Sequence, residues 1–428
     1  MLGSRAALVA FLAVPALVFA CGQDTASGTS ESDVIGGIAA RGGRLDAIGS
    51  LVRPVVSRTV PVPSDGGTSE AGTSEAGTSE ASASDAGAVA EAPPTHRPFC
   101  TATLIAPRLV ITAKHCVKND SDAIFFAVGG DGERPKRTVR VARTWLAPLD
   151  EGGFVSLGAD VALLALEERI TDVEPLAVLR SAIPEDLVGG RFSAVGFGLR
   201  DRKRTLGLRQ AATLTLRATR GQFMKSIFES DEALVDFTNR TSPEAFRESD
   251  VGRLRDFWNR ELLPEYEAYL GLGDGDAQPC SGDSGGPLVA RMGDRLVVSA
   301  VVSGSFKLGG SSANPCSVLG EMYATLGPVV QTTLDEAVAF VDGEGPERVD
   351  AAPLFAGSKA TLPAASNSSD GGADPCLGLP TRGICVEGAA LRCLDYSEGP
   401  VHATRTDCTL LAQRCVDDGD TGARCEDE

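Results

Sequence analysis

Several residue types that carry particular functions are scarce in this 428-residue chain. It has only three histidines, so few imidazoles are available as a base. No Cys-x-x-Cys pair occurs, which argues against a zinc site, and we predict neither a metal nor another cofactor. Basic residues are in deficit, and the formal charge of −18 disfavours nucleic acid and anionic membrane surfaces as partners.

Long apolar runs are also missing, apart from one near the N-terminus. Arg5 precedes an apolar stretch over residues 6–20 of about 15 residues, short of the roughly 20 that a membrane span needs. Residues 1–20 therefore read as a signal peptide. The stretch ends at Ala20-Cys21 and looks like a bacterial lipobox, which predicts a lipid on Cys21 and a leader over 21–33, although Phe19 replaces the usual small residue. Ordinary cleavage after Ala20 is the alternative.

The number of cysteines bears on the same question. Eleven is an odd number for an exported chain. A lipid on Cys21 leaves ten cysteines that can pair, and disulfides indicate an oxidising compartment. We expect an exported bacterial protein, either an outer-membrane lipoprotein or a secreted one, that touches a membrane only through this lipid.

Low-complexity segments divide the chain. Residues 63–94 contain the repeated Thr-Ser-Glu-Ala-Gly unit, which is too polar and too small to fold alone. We interpret this stretch as a long loop inside a domain over 34–345; the alternative is that the domain starts after it. Residues 346–372 are rich in Ala, Pro, Ser and Gly and form a linker.

The linker leads to a cysteine-rich module over residues 373–428. Six cysteines allow 15 pairings, and the sequence does not choose among them. A small module of this kind is a binding or stability element, so an unknown partner is one expectation. Its cysteines are Cys376, Cys385, Cys393, Cys408, Cys415 and Cys425.

Short β-type runs separated by turn residues fill most of the region from 48 to 324, which is typical of barrels or sandwiches. They are 48–56, 101–105, 109–112, 123–128, 138–143, 161–166, 191–195, 213–217, 287–290, 296–302 and 318–324. The pattern predicts an all-β fold.

Two stretches have a helical pattern instead. Ser242-Pro243-Glu244 is a helix-start signal, and apolar residues follow at helical spacing until Pro264. This helical insert either packs on the β-structure or forms a wall beside a cleft. Residues 332–341 predict a closing helix with Leu334, Val338 and Val341 on one face.

Three short motifs carry the chemistry. Gly282-Asp283-Ser284-Gly285-Gly286-Pro287 places a serine in a glycine-rich turn, where backbone N–H groups can approach a substrate. His115 ends the apolar run that begins at Leu109, whereas His96 borders the low-complexity segment and His402 lies in the cysteine-rich module. Asp160 opens an apolar strand. A serine hydroxyl needs such a base and an orienting acid to become a nucleophile.

The order His115, Asp160, Ser284 with these contexts resembles the chymotrypsin/trypsin-like serine protease family. The resemblance spans residues 34–345 and implies two six-stranded antiparallel β-barrels with a C-terminal helix. The spacing from His115 to Asp160 is about that of the family, whereas the spacing from Asp160 to Ser284 is roughly 30 residues longer. The helical insert accounts for the extra length.

The resemblance also implies a role for each motif residue. Ser284 would attack the scissile carbonyl, His115 would transfer the proton and Asp160 would orient His115. The N–H groups of Gly282 and Ser284 would hold the oxyanion. The implied disulfides are Cys100 with Cys116 and Cys280 with Cys316.

Val34-Ile35-Gly36-Gly37 looks like the family's mature N-terminus. Cleavage would free an ammonium on Val34 that pairs with the buried carboxylate of Asp283. Asp33 stands where trypsin-type activation needs Arg or Lys, and a plain strand start is the alternative reading. Cleavage there would also release the enzyme from a lipid on Cys21.

The specificity pocket is assigned by the same resemblance. Gln278 would lie at its base, Ser303, Gly304 and Ser305 along one wall, and Glu321 on the facing strand. A carboxylate from Glu321 predicts a preference for basic P1 side chains. Lys114 replaces a small residue beside the histidine, and we expect it to point outward.

Two functions are compatible with these residues. The first is a secreted serine endopeptidase that acts on proteins or peptides through an acyl-enzyme. The second is a catalytically silent lipoprotein that kept the fold as a binding or scaffold protein, locked because Asp33 blocks activation. The complete set of three residues favours the first.

Overall fold

The computed structural model describes most of the chain from Gly37 onward. The described residues are 37–55, 95–118, 123–148, 158–198, 207–243, 246–277, 280, 282–306, 308, 319–351, 376, 379–380, 382–394, 402–417 and 422–427. All of them belong to one compact unit over residues 31–428.

A short strand, β1 (Ile38–Ala39), precedes the first barrel. Six antiparallel strands then close this barrel in the order β2-β3-β4-β7-β6-β5. Their apolar side chains are almost entirely buried, because a closed barrel faces one side of each strand inward. The strands are β2 (Ile48–Pro54), β3 (His96–Ala106), β4 (Leu109–Thr112), β5 (Phe125–Val128), β6 (Arg137–Leu146) and β7 (Ala162–Leu166).

The second barrel closes in the order β12-β9-β10-β11-β14-β13, since β12 also pairs with β13. Strand β8 (Ala177–Leu179) lies parallel to β13 outside the ring and is followed by β15 (Arg348–Val349), while β1 pairs with β10. The barrel strands are β9 (Arg191–Gly196), β10 (Gln210–Ala218), β11 (Glu267–Leu270), β12 (Pro287–Met292), β13 (Arg295–Ser305) and β14 (Glu321–Thr325).

The predicted all-β class with two six-stranded antiparallel barrels is confirmed. One barrel strand, β11, was not predicted from the sequence, and neither was the short strand β8 beside the second barrel. Strand β8 has only three residues, and β11 follows directly on the stretch with helical spacing. Pairing with β14 and complete burial, rather than a local pattern, make Glu267–Leu270 a strand.

The helical insert consists of two helices, α1 (Asp231–Thr241) and α2 (Asp250–Asn259). The predicted start at Ser242 is wrong, because Ser242 is the C-cap of α1. The real start is Ser230, whose hydroxyl accepts a hydrogen bond from the N–H of Ala233 at 3.2 Å.

The closing helix α3 (Pro328–Phe340) begins one turn earlier than the pattern predicted. Pro328 occupies the first turn, where its missing N–H leaves no hydrogen bond unmade. Leu334 and Val341 are buried, and Val338 packs partly buried against the core, so the predicted face does point inward.

The cysteine-rich module contains a three-stranded antiparallel sheet and a hairpin. Several of its buried apolar residues, among them Ala390, Leu411 and Ala423, belong to the same hydrophobic core as the two barrels. The sheet strands are β16 (Ile384–Val386), β17 (Ala389–Leu394) and β18 (His402–Asp407), and the hairpin strands are β19 (Arg414–Asp417) and β20 (Ala423–Glu426).

Several predicted features lie outside the described residues: the signal peptide, Cys21, the leader, Val34, the low-complexity insert, Gln278, Cys316 and most of the linker. Among the helices that are described, none combines the length and apolar character of a membrane span.

Candidate active site

The first barrel places His115 at the end of β4. The chain leaves the strand through a short 3-10 turn, Lys114–Cys116, and the disulfide between Cys100 and Cys116 ties this turn to β3. The His115 side chain keeps 34% of its surface exposed. The imidazole therefore stands at the rim of the barrel, on a backbone that is fixed from both sides.

Asp160 binds both the backbone and the ring of His115. One carboxylate oxygen, Oδ1, accepts the backbone N–H of His115 at 2.9 Å, and the other, Oδ2, lies 2.8 Å from Nδ1. Oδ2 also accepts the hydroxyl of Ser303 at 2.8 Å. The side chain of Asp160 is only 1% exposed. These contacts direct Nδ1–H toward the acid and leave Nε2 able to accept a proton.

Lys114 does not point outward, so that prediction is wrong. The side chain is buried, and its ammonium donates to the carbonyl of Ala147 at 2.8 Å. The ammonium is therefore inside the protein, whereas the neighbouring His115 side chain is partly exposed. Burial of the apolar stem and a hydrogen bond for the head offset the cost of desolvation.

The second barrel holds Ser284 in the turn before β12. The carbonyl of Ser284 accepts the N–H of Thr101 at 2.9 Å, and the carbonyl of Gly282 accepts the hydroxyl of the same threonine at 2.9 Å. The N–H of Gly285 donates to Val302 in β13 at 2.9 Å. Strands of both barrels therefore fix the serine turn, so that Ser284 lies at the seam.

Two positions in this turn require glycine, because neighbouring atoms lie too close to leave room for a Cβ. Gly285 has a φ of +78°, and a Cβ there would overlap the hydroxyl of Thr112 and the carbonyl of Thr101. At Gly286 a Cβ would meet the carbonyl of Val195 at 2.5 Å. The glycine-rich motif thus lets the turn press against both barrels.

The disulfide relates the imidazole to the serine turn. Sγ of Cys116 lies 3.9 Å from Nε2 of His115 and 3.7 Å from the carbonyl oxygen of Ser284. The Ser284 hydroxyl makes no hydrogen bond to His115 among the described residues. Such bonds are often long in unliganded enzymes and tighten when substrate binds.

Within the described part of the chain, the backbone N–H groups of Gly282 and Ser284 donate to no protein acceptor. Two donors next to a serine hydroxyl are the components of an oxyanion hole. These two N–H groups can therefore donate to a substrate oxygen without breaking a hydrogen bond that the turn already makes.

Asp283, between these two residues, points inward and is 1% exposed. Its carboxylate accepts the N–H of Cys280 at 3.2 Å and that of Gly198 at 3.3 Å. A Cβ at Gly196 would overlap this carboxylate, so glycine is needed beside it. Cys280 is disulfide-bonded, while its predicted partner Cys316 and the predicted ammonium of Val34 lie outside the described residues.

The predicted pocket wall is formed by β13 and β14, in which Ser305 pairs with Glu321 and Gly304 with Met322. Glu321 is buried. Ser303 lies in β13, one of the two strands that form the predicted wall, whereas Gln278 lies outside the described residues.

Two buried tyrosines mark the same region. Burial, together with the nearby carboxylate of Glu321, raises the pKa of Tyr269 and of Tyr323 well above the usual value. Asp283 and Asp276 raise the pKa of Tyr323 further. Neither phenol hydroxyl has a hydrogen-bond partner within the described residues. The carboxylates of Glu321, Asp283 and Asp276 therefore lie close enough to Tyr323 to act on it electrostatically.

The helical insert packs behind the pocket wall. A second hydrophobic cluster joins Phe257 of α2 to Phe306 and Met322, and the Phe257 and Phe306 rings lie 5.0 Å apart. The insert therefore packs on the barrel, which is one of its two predicted roles. The barrel residues that it contacts lie next to the predicted pocket wall.

Sequence reasoning missed Thr101. This buried residue bonds to Gly282 and Ser284, and its hydroxyl also accepts the N–H of Phe197 at 3.1 Å. A threonine in a β-type run looks like an ordinary strand residue, so no local signal could have identified it.

His115, Cys100 and Cys116 come close enough to resemble a group of metal ligands. The two sulfurs are joined to each other, however, and a disulfide sulfur is not a thiolate ligand.

Comparison with known proteins agrees with this arrangement. The sequence profile described as "Trypsin-like peptidase domain" matches residues 100–297. Granzyme M of Rattus norvegicus is 28% identical over 221 residues, which cover 47% of this chain and 73% of that protein. Chymotrypsin-like elastase family member 1 of Felis catus is 25% identical over 217 residues, covering 49% and 69%. Together with the paired barrels, these matches support assignment of the barrel region to the chymotrypsin/trypsin-like serine protease family.

Proposed function

We propose that the protein is an exported serine endopeptidase that hydrolyses peptide bonds through an acyl-enzyme. Ser284 attacks the scissile carbonyl, and its proton passes to Nε2 of His115. The imidazolium then protonates the leaving amine, while Asp160 stabilises the positive ring. Water enters with the same base to release the acyl group. The observation that carries the proposal is the pair of bonds from Asp160 to His115, beside the serine turn.

The developing negative charge needs donors that are free when substrate arrives. The N–H groups of Gly282 and Ser284 meet this condition within the described residues. Losing one such donor typically costs about 10²–10³ in rate.

Export is supported by the disulfides. Four bridges join described cysteines, and such bonds persist in oxidising compartments. The lipid on Cys21 and the activation at Asp33–Val34 remain predictions from the sequence.

The direct test is labelling with a fluorophosphonate probe. We expect covalent labelling of the purified chain, loss of labelling in Ser284→Ala, and full labelling in the control Ser181→Ala, which alters an exposed serine. N-terminal sequencing of the labelled band would show whether the active form begins at Val34. If the folded protein is not labelled, whether or not its N-terminus is Val34, the result would instead support the catalytically silent scaffold.

We further propose that the pocket prefers Arg or Lys at P1. The support is the buried carboxylate of Glu321, with Asp283 and Asp276 also acting on Tyr323. A cationic side chain would gain Coulombic energy among these groups, whereas an acidic one would be repelled.

A P1 substrate library tests this preference. Glu321→Gln should reduce the Arg and Lys signal by about tenfold or more relative to other residues. The control is Glu267→Gln, another buried glutamate in the second barrel, whose carboxylate is held by Arg260 at 2.9 Å. An unchanged profile in Glu321→Gln would exclude the assignment.

A further inference from the structure

The six cysteines of the cysteine-rich module form disulfides only with one another. The bridges are Cys376–Cys393, Cys385–Cys415 and Cys408–Cys425. The module is therefore joined to the barrels by the linker and by non-covalent contacts. Two groups of these contacts involve segments that matter for the site.

The first is the leading segment, defined as residues 37–44, which follows the predicted activation site. The backbone of Ala40 lies in a parallel bridge with Cys425, and the N–H of Arg41 donates to the Cys425 carbonyl at 3.1 Å. Arg392 donates to the carbonyl of Gly37 at 2.8 Å. The Asp427 carboxylate accepts the N–H of Arg44 at 3.4 Å. The module thus holds this segment along its whole length.

The second is the pocket-base loop, defined as residues 271–277, which leads to the predicted pocket base at Gln278. The N–H of Arg405 in β18 donates to the carbonyl of Gly275 at 2.8 Å. The neighbouring Asp276 accepts the N–H and the hydroxyl of Thr215 at 2.9 and 3.0 Å. One end of β18 is therefore bonded directly to the loop.

A buried arginine couples the module to the same loop. Arg191 is 1% exposed, and its guanidinium donates to Asp407 at 2.6 Å and to the Arg405 carbonyl at 3.2 Å. Its other acidic neighbour is Asp276, at 3.9 Å. A buried cation without a close partner is strongly destabilising. The close partner of this cation comes from the module.

The pocket-base loop in turn borders the site. Gly271 of the loop packs so closely on Gly320, the residue before β14, that a Cβ at Gly271 would lie 2.9 Å from the Gly320 Cα. The carboxylate of Asp276 also raises the pKa of Tyr323, after burial and the carboxylates of Glu321 and Asp283. Asp283 accepts the N–H of Cys280, four residues further along the chain than Asp276. A shift of this loop would therefore move both the pocket base and the backbone that supports the serine turn.

We propose that the C-terminal module is an intramolecular clasp that holds the pocket-base loop and the leading segment in the geometry needed to bind substrate. This inference rests on the proposed protease function. It identifies the second barrel of the same chain as the surface that the module recognises. The residues that transmit the effect, Asp407, Arg405 and Arg191, are positioning residues, because none of them reaches the reacting atoms.

Point variants in the full chain test the clasp. Activity is measured per active site, counted by fluorophosphonate titration, so that misfolded protein does not enter the rates. Asp407→Ala should raise KM about tenfold or more with kcat changed by less than about threefold, since the loop shapes binding rather than proton transfer. Asp407→Asn keeps an acceptor for Arg191 and should recover part of the loss.

The matched control is Arg291→Ala. Arg291 also bonds to the module, through the Thr409 carbonyl at 2.9 Å, but it lies on β12 away from the loop. We expect KM to stay within about twofold of the parent value. Equal effects of Asp407→Ala and Arg291→Ala on KM, or none from either, would overturn the proposal.

A cut in the linker provides the second test. A recognition site for a sequence-specific protease is inserted after Ala360 in the full chain, and the folded protein is then cleaved. The two pieces should elute together and keep their kcat/KM. In the Asp407→Ala background the module should dissociate and KM should rise further.

A protease piece without the module that retains the parent kcat/KM and P1 profile would refute the clasp. If that piece precipitates, the point variants decide alone. An uncut, folded parent chain that never labels would instead refute the protease function, so the two failures are distinguishable.

Discussion

The two sides of the active-site seam are held in different ways. On the first-barrel side, His115, Asp160 and the Cys100–Cys116 disulfide lie within one stretch of chain and bond to one another. On the second-barrel side, the pocket-base loop depends on Arg405 and Asp407 of the module, more than a hundred residues away.

This difference indicates which kinetic constant each of the two regions controls. In the proposed mechanism, proton transfer depends on His115 and Asp160, whereas substrate binding depends on a loop whose anchors come from the far end of the chain. We therefore expect changes that disturb His115, Asp160 or the serine turn to alter the chemical step, and changes that disturb the pocket-base loop to alter KM.

The largest effect should come from Asp160→Asn. The amide would favour the wrong tautomer of His115, and kcat should fall by about 10⁴-fold while KM changes little. Steady-state kinetics on an ester substrate measures both constants. Asp172→Asn, which alters an exposed acid paired with Arg137, serves as the control and should leave them unchanged. A comparable loss in KM would contradict the division between the two sides.

The next largest effect should come from Gly285→Ala. Its Cβ would overlap Thr112 and Thr101, and the residue would be strained at positive φ, so the serine turn must move. We expect the rate of fluorophosphonate labelling to fall by about 10²–10³-fold. Gly252→Ala in α2, where a Cβ meets nothing within 4 Å, is the control. Normal labelling of Gly285→Ala would show that the turn adapts.

Two disulfides with nearly equal loops separate stability from function. Cys100–Cys116 spans 16 residues and Cys376–Cys393 spans 17. Replacing either pair by serine should lower the free energy of unfolding by about 3 kcal/mol, measured by denaturant titration. Only the first replacement should lower kcat, because only that bridge holds the turn of His115. Equal losses of kcat from the two replacements would argue against a specific role of the Cys100–Cys116 bridge in holding His115.

The smallest effect should come from Ser303→Ala. It removes one hydrogen bond to Asp160, whose two bonds to His115 remain. We expect kcat to fall by about tenfold, consistent with the loss of a bond to a charged group. Ser299→Ala, which removes a buried hydroxyl of the same strand that donates to the Leu288 carbonyl in β12, should leave kcat unchanged. A loss as large as that of Asp160→Asn would make Ser303 indispensable.

Much of the fold was predictable because its elements have strong local patterns. The apolar runs at 109–112 and 161–166 coincide with β4 and β7 to within one residue. Helix α1 was missed because its sequence is mostly polar, and Ser242-Pro243 imitated a start although Ser242 ends that helix. Lys114 was predicted to point outward because nothing in the sequence indicates that its ammonium donates a hydrogen bond to the Ala147 carbonyl.

The sequence by itself determined the candidate reactive groups and most of the strands that carry them, because the proposed nucleophile, base and acid lie in short motifs and strand patterns are local. Only the tertiary structure decided what holds those groups. Thr101 supports the serine turn, and the module of residues 373–428 anchors the pocket-base loop through Arg191, Arg405 and Asp407. Such contacts join segments distant in the chain, and they exist only after the core has closed and brought those segments together.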